Sequence, residues 1–230
     1  MDLQLLSALN ADRAARRAAI LVTEVATGEQ HLVREDEVAA HALADLLRDR
    51  MRQGKSGLVV EAGRELFLTV QVPPVRVVVI GAVHISQALA PMVRGLDFDV
   101  TIIDPRTAFA SPERFPDTTV LAEWPDTALP RLGLDRYTAL AALTHDPKID
   151  DPALDAALKA QCFYIGALGS KKTHARRVER LAGAGFTQAD IARIHAPIGL
   201  DIGAVSPAEI AVSILAEIVA TLRQDRRRRP

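Results

Sequence analysis

Cysteine is nearly missing from this chain. Its 230 residues hold a single one, Cys162. That excludes a disulfide framework and any multi-cysteine zinc or iron–sulfur site. Net charge is nearly missing too, at −1. No global field would draw nucleic acid or an anionic membrane, so neither is expected as a partner. No apolar run approaches the ~18 residues of a membrane span. The start, Met-Asp-Leu-Gln-Leu-Leu, lacks a basic region followed by an apolar stretch. No secretory signal is therefore expected, and the cytoplasm is the default location. There is no Gly-x-Ser-x-Gly elbow, no His-Glu-x-x-His and no P-loop spacing, so no serine hydrolase, zinc protease or Walker-type NTPase signature is present.

What is present is ordinary globular material, 49% hydrophobic and 25% charged, which argues against a disordered or fibrous chain. The run Arg226 to Arg229 reads as a solvated tail. Two parts can be separated at Pro73-Pro74, where neither residue freely continues a ladder or helix. The first, residues 1–72, reads as a small α+β segment. Leu3, Leu5, Leu6 and Leu9 open an amphipathic helix. Two hairpins are expected, one turning at Thr27-Gly28 and one at Gly63, with a helix over residues 38–51 between them. So small a piece needs a larger partner, the rest of the chain or a second copy, so a homo-oligomer is expected.

The second part, residues 73–230, alternates strands with helices. Val75-Arg-Val-Val-Val-Ile80 is the unbroken β-branched run of a central parallel strand covered on both faces. Further strands are expected over residues 98–103, 118–122, 137–143 and 162–165, with helices over 87–94, 151–160 and 171–181. This order predicts a doubly wound, Rossmann-like α/β sheet. Ser206-Pro207-Ala208-Glu209 signs the start of a last helix as a capping box with proline at its first position. Glu209, Ser213 and Glu217 then share one polar stripe.

The chemistry-bearing residues fall where strands end, the crevice in which open α/β sheets bind ligands. Gly81-x-Val83-x-x-Ser86 is an imperfect dinucleotide fingerprint, with a branched valine where the second glycine belongs. Asp104 lies where an acidic residue would meet a ribose hydroxyl, and Arg106 where a phosphate would sit, so NAD(P) is an alternative ligand and an oxidoreductase the alternative function. Gly166-Ala-Leu-Gly169-Ser170-Lys171-Lys172 reads as an anion-binding turn opening a basic helix (Arg176, Arg177, Arg180), or simply as a solvated basic face. Thr144-His145-Asp146, with His84 on the neighbouring loop, offers an acid–base pair, or two histidines and two aspartates for a metal as a lesser alternative. His31, His41, His174 and His195 have no evident partners. Cys162 reads as a small buried hydrophobe rather than a nucleophile, Glu209 as a capping residue and Glu217 as a solvated or interface carboxylate.

Six ordered motifs together carry a resemblance. Gly81-Ala-Val-His-Ile, Asp104-Pro-Arg, Leu143-Thr-His-Asp, Tyr164-Ile-Gly-Ala-Leu-Gly-Ser-Lys-Lys, Pro197-Ile-Gly-Leu-Asp-Ile-Gly and Ser206-Pro-Ala-Glu-Ile-Ala-Val-Ser-Ile resemble the XdhC/CoxI family over about residues 76–220. The family comprises maturation factors of xanthine dehydrogenase and carbon monoxide dehydrogenase. The resemblance implies a chaperone that binds the molybdenum cofactor (molybdopterin), aids its sulfuration and delivers it to an apo-molybdenum hydroxylase, with a cysteine desulfurase as a further partner. It implies a cofactor site drawn from Gly81, His84, Asp104, Arg106, Thr144, His145, Asp146, Gly166, Gly169, Ser170, Lys171 and Asp201, and no catalytic residue or resident metal. The Gly-Ser-Ala-Pro and Gly-Gly-Cys stretches of many members do not appear between Met1 and Gln71.

Overall fold

A computed structural model describes residues 3–225. The Arg226 to Arg229 run lies outside them. The chain divides into two compact units, Met1–Pro73 and Pro74–Pro230.

The first unit opens with α1 (Leu3–Ala14). Leu9 and Asp12 are its buried residues, whereas Leu3 and Leu6 lie exposed, so the leucines do not form the expected continuous stripe. Asp12 clamps the chain by accepting from Arg17 Nε at 2.8 Å and Arg34 Nε at 2.9 Å. Strands β1 (Ala19–Glu24) and β2 (Gln30–Arg34) make the first hairpin, with Gly28 at φ +74° in its turn. The expected helix over 38–51 is split. A short 3₁₀ turn at Val38–Ala40 precedes α2 (Ala44–Gln53). Strands β3 (Gly57–Glu61) and β4 (Arg64–Gln71) form the second hairpin. Its two central residues, Ala62 and Gly63, are both at positive φ, as a type I′ turn requires. β4 also pairs with β1, giving one antiparallel sheet in the order β2-β1-β4-β3. Ile20, Val22, Leu66 and Leu68 pack with Leu47 of α2 into its core.

The second unit is a six-stranded parallel sheet. Its elements are β5 (Arg76–Ile80), α3 (His84–Arg94), β6 (Asp99–Ile103), β7 (Thr119–Leu121), α4 (Pro125–Leu132), β8 (Thr138–Ala142), α5 (Pro147–Lys159), β9 (Tyr164–Ala167), α6 (Lys171–Gly183), α7 (Gln188–Ile191), β10 (Ile194–His195) and α8 (Pro207–Asp225). The strand order is β10-β9-β8-β5-β6-β7. Every residue of β5 is buried, because alternate side chains enter different cores. Val77 and Val79 pack with α3 and α8, and Val78 and Ile80 with α4 and α5. Each such side chain contributes about 1.5–3 kcal/mol on burial, so this strand anchors both layers of the fold. β9 begins two residues later than the sequence pattern implies. Cys162 is buried just ahead of it, and burial pushes its thiol up to about 12. Such a thiol stays protonated and inert at neutral pH. The sequence pattern does not signal β10 or α4. The first is only two residues long, and the second carries Pro125 and Pro130.

From β5 the chain runs outward through β6 and β7, then returns to β8 on the other side of β5. The order therefore reverses between β5 and β8, and the loops leaving these two strands face one crevice.

Candidate functional site

The β5 exit is built on Gly81. Its φ is +111°, and a Cβ there would lie 2.7 Å from Thr144 Cγ2. Only glycine fits, because the β5 and β8 loops meet at this point. The Gly81 N–H donates to Ile103 O at 2.8 Å, and its carbonyl accepts from the Ser86 hydroxyl. α3 then starts at His84, earlier than the sequence pattern suggests. His84 is exposed on its first turn. Val83 is the N-cap and offers no side-chain hydrogen bond to the first N–H groups.

Asp104 lies fully buried at the β6 exit. Its Oδ1 accepts from Arg106 N and Nε, both at 2.9 Å. Its Oδ2 accepts from Ala82 N and Arg106 Nη2, both at 2.7 Å. Burial pushes the carboxyl up, but the hydrogen bonds from Arg106 and the two backbone N–H groups outweigh it and hold it below the usual carboxylate range. Each oxygen thus carries two donors, its full ordinary capacity. A ribose hydroxyl would find no free acceptor on Asp104, so the acid has become an internal brace that ties the β5 and β6 exits together.

At the β8 exit, Thr144-His145-Asp146 makes a sharp turn with His145 at φ +63°. Asp146 caps α5 by accepting from Lys148 N at 2.9 Å. The turn is organised from beneath by Asp150, which accepts from Thr144 Oγ1 at 2.7 Å and Thr144 N at 3.3 Å. Asp150 is buried, and desolvation pushes its carboxyl up against the opposing pull of Thr144 and the Arg177 charge. Arg177 is equally buried and donates to Leu168 O at 2.9 Å. It does not belong to a solvated basic face. It occupies the inward stripe of α6, four residues before buried Leu181.

The β9 exit differs from its sequence reading. Gly166 lies inside β9, where a Cβ would come within 2.5 Å of Ile198 and 2.7 Å of the Tyr164 hydroxyl. It serves packing, and the turn begins only at Leu168. Gly169 is at φ +132°, with a notional Cβ 3.7 Å from His145 Nδ1, so the β8 and β9 turns adjoin. Ser170 caps α6, its Oγ accepting from Thr173 N at 3.2 Å. Lys171 and Lys172 are exposed on that first turn. Asp201 sits exposed in the segment between β10 and α8. Among the described residues, no three histidine, cysteine or acidic side chains gather where a metal could be held, so His84, His145 and their neighbouring aspartates do not converge.

Glu217 is not a solvated carboxylate. It accepts from the Tyr164 hydroxyl at 2.6 Å and from Gly199 N at 2.8 Å, and pairs with His195 Nδ1 at 3.0 Å. The Tyr164 and His195 rings stack at 4.8 Å. This hub pins residues 195–199 onto β9 and α8. His31 and His41 also have partners, each other, with Nε2 atoms 3.1 Å apart. Glu209 completes the capping box of α8, accepting from Ser206 N and Val205 N at 2.8 Å while Ser206 Oγ accepts from Glu209 N.

Residues 77–218 match the XdhC Rossmann domain. The chain belongs to the XdhC family. Its curated relatives include the uncharacterized protein YqeB of Escherichia coli strain K12, 33% identical over 76% of this chain and 33% of that protein. The molybdenum cofactor insertion chaperone PaoD of the same organism is 31% identical over 64% of this chain and 40% of its own length. A probable xanthine dehydrogenase subunit from Bacillus subtilis strain 168 is 29% identical over 66% of this chain and 44% of its own length. The XdhC chain thus spans between a third and a half of these relatives. A crystal structure of a xanthine dehydrogenase from Bacillus halodurans superposes with a TM-score of 0.64 at 22% identity, over 97% of this chain and 66% of that one, which establishes a shared fold.

Proposed function

We propose that this XdhC-family chain is a maturation factor that binds the molybdenum cofactor and passes it to an apo-molybdenum hydroxylase of the xanthine or carbon monoxide dehydrogenase type. The observation that carries the reading is the set of helix ends around the switch point. α5 and α6 have their first N–H groups capped by Asp146 and Ser170, whereas α3 has no side-chain cap. An uncapped helix N-terminus is where a phosphate is best received. Lys171 and Lys172 stand beside the same crevice and supply the positive charge that an anionic cargo needs. The similarity to an insertion chaperone, PaoD, supports the same reading.

A carrier needs binding and release, and the crevice residues suit that task. Asp104 is spent on backbone and arginine partners, Asp146 caps α5, and the one cysteine is buried away from the crevice. In this reading Gly81, His84, Thr144, His145, Gly169 and Lys171 touch the cargo, while Asp104, Asp146, Gly166 and Ser170 hold those residues in place. A cysteine desulfurase supplies sulfur while the cofactor is bound, the protein works in the cytoplasm, and two copies associate. No helix among the described residues is long and apolar enough to cross a membrane. The test is reconstitution. Purified protein should slow the decay of released molybdenum cofactor and raise the activity recovered by an apo-hydroxylase. Equal decay and equal recovery with and without the protein would refute the assignment.

A further inference from the structure

Phe109 has no part in either core, yet it is held as if its position mattered. It is 44% exposed. The turn that carries it is closed by Phe109 N donating to Arg106 O at 2.9 Å. Arg114 locks the turn from outside, donating to Phe109 O at 2.7 Å and to Ala82 O at 2.9 Å. The result lays the Arg106 guanidinium over the Phe109 ring, 4.7 Å from its centre, within the range of a cation–π contact.

Arg106 is itself fixed in orientation. Two of its nitrogens form a bidentate pair with buried Asp104, the most directional geometry available to a guanidinium. Its third nitrogen, Nη1, has no hydrogen-bond partner among the described residues, and its side chain is part-exposed. Its hold on its proton is strengthened first by the Asp104 hydrogen bond and also by the charges of Asp146 and Asp150. Its partner Asp104 also accepts from Ala82 N at 2.7 Å, so Arg106 stands at the β5 and β6 exits with the Phe109 ring against one face.

We propose that Arg106 and Phe109 form a stacking subsite for a planar heteroaromatic ring with acceptor atoms on its edge, the class that contains both pterins and purine bases. An immobilised guanidinium backed by an aromatic ring offers flat, polarisable surface with little ordering cost. The spare Nη1 donors lie in the guanidinium plane, free for an acceptor of the same cargo that extends past the stacked ring. The subsite rests on the cofactor-binding reading above and deepens it. The ring end of the cargo lies against Arg106, and its anionic end lies toward α3 and Lys171.

The experiment titrates the full chain with a free pterin, followed by the pterin's own fluorescence, with AMP as competitor. Wild type is compared with Phe109→Ala, Phe109→Tyr and Arg106→Lys, and each variant's thermal unfolding is recorded so that folding losses are separated. Phe109→Ala should weaken pterin binding about tenfold, as loss of one stacking contact does, and Phe109→Tyr should restore it. Displacement by AMP would assign the subsite to purines as well as pterins and supports the stacking chemistry. Equal pterin affinity in wild type and folded Phe109→Ala would overturn the subsite. If molybdenum cofactor then binds both equally well, the subsite alone fails and the maturation role stands. Failure of wild type to bind pterin, AMP or molybdenum cofactor overturns both.

Discussion

Two glycines serve this crevice for different physical reasons. Gly81 is at φ +111° and presses on Thr144, so Gly81→Ala combines backbone strain with a clash. It should cost about 1–3 kcal/mol and also spoil the β5 exit. Gly166 has an ordinary backbone, but no room for a methyl beside Ile198. Gly166→Ala should destabilise the fold by about 1–3 kcal/mol through overpacking. Chemical denaturation would check both. A Gly166→Ala protein of wild-type stability would contradict its placement inside β9. Glu217 makes a further prediction. Burial raises its carboxyl, but His195, Tyr164 and Gly199 N outweigh that and hold it below the usual range. A depressed carboxylate contributes stability that is complete above its unfolded value, about 4.3, and is lost as pH falls through the folded one. Glu217→Gln should therefore be less stable than wild type at pH 7, with the gap closing below about pH 4. Unfolding midpoints measured across that window would show a constant gap if the hub were unimportant.

At the scale of elements, the two turns flanking the β8 and β9 exits share a buried strut. Asp150 holds Thr144 from below, and Arg177 holds Leu168. Each lies almost wholly out of solvent and each feels the other's charge, although no direct ion pair joins them. Removing either side chain breaks its own hydrogen bond to a turn and weakens the charge support of the other, at a cost of about 1–3 kcal/mol. Asp150→Asn and Arg177→Met should each destabilise the fold, and the double variant should lose less than the two combined. Strict additivity in a denaturation cycle would contradict the strut. Neither residue is legible as a site residue in the sequence. Asp150 reads as one acid among several near a helix start, and Arg177 as one cation in a basic row. The available signal is spacing, since Arg177 falls four residues before Leu181 on the inward stripe. The strands are more legible. Val75-Arg-Val-Val-Val-Ile80 can only be a doubly covered strand, and β5 runs from Arg76 to Ile80. The start of β9 is displaced by two residues because Cys162 and Phe163 look as strand-like as Gly166 and Ala167. Only the ladder to β8 distinguishes them.

At the scale of the molecule, the parallel sheet and its order of strands place the loops, and the loops place the chemistry. Gly81, Asp104, Arg106, Thr144, His145, Asp146, Gly169, Ser170 and Lys171 all follow strand ends in the sequence, and the topology gathers those ends around β5 and β8. Their division of labour is not legible there, because it depends on pairings between loops far apart in the chain. Asp104 looks like a ribose ligand until Arg106 and Ala82 are seen to fill its oxygens. His195 and Glu217 look unattached until β10 and α8 meet. The chain's match to the XdhC Rossmann domain fixes its family, and the proposed cofactor binding is what experiment tests. The most direct measurement is an equilibrium titration of the protein with molybdenum cofactor, run beside NADH, NADPH and a Lys171→Ala variant. The maturation-factor account predicts tight cofactor binding that Lys171→Ala weakens about tenfold, near the worth of one charge-assisted contact, and weak or absent dinucleotide binding. Tight NADH or NADPH binding with no affinity for the cofactor would contradict it.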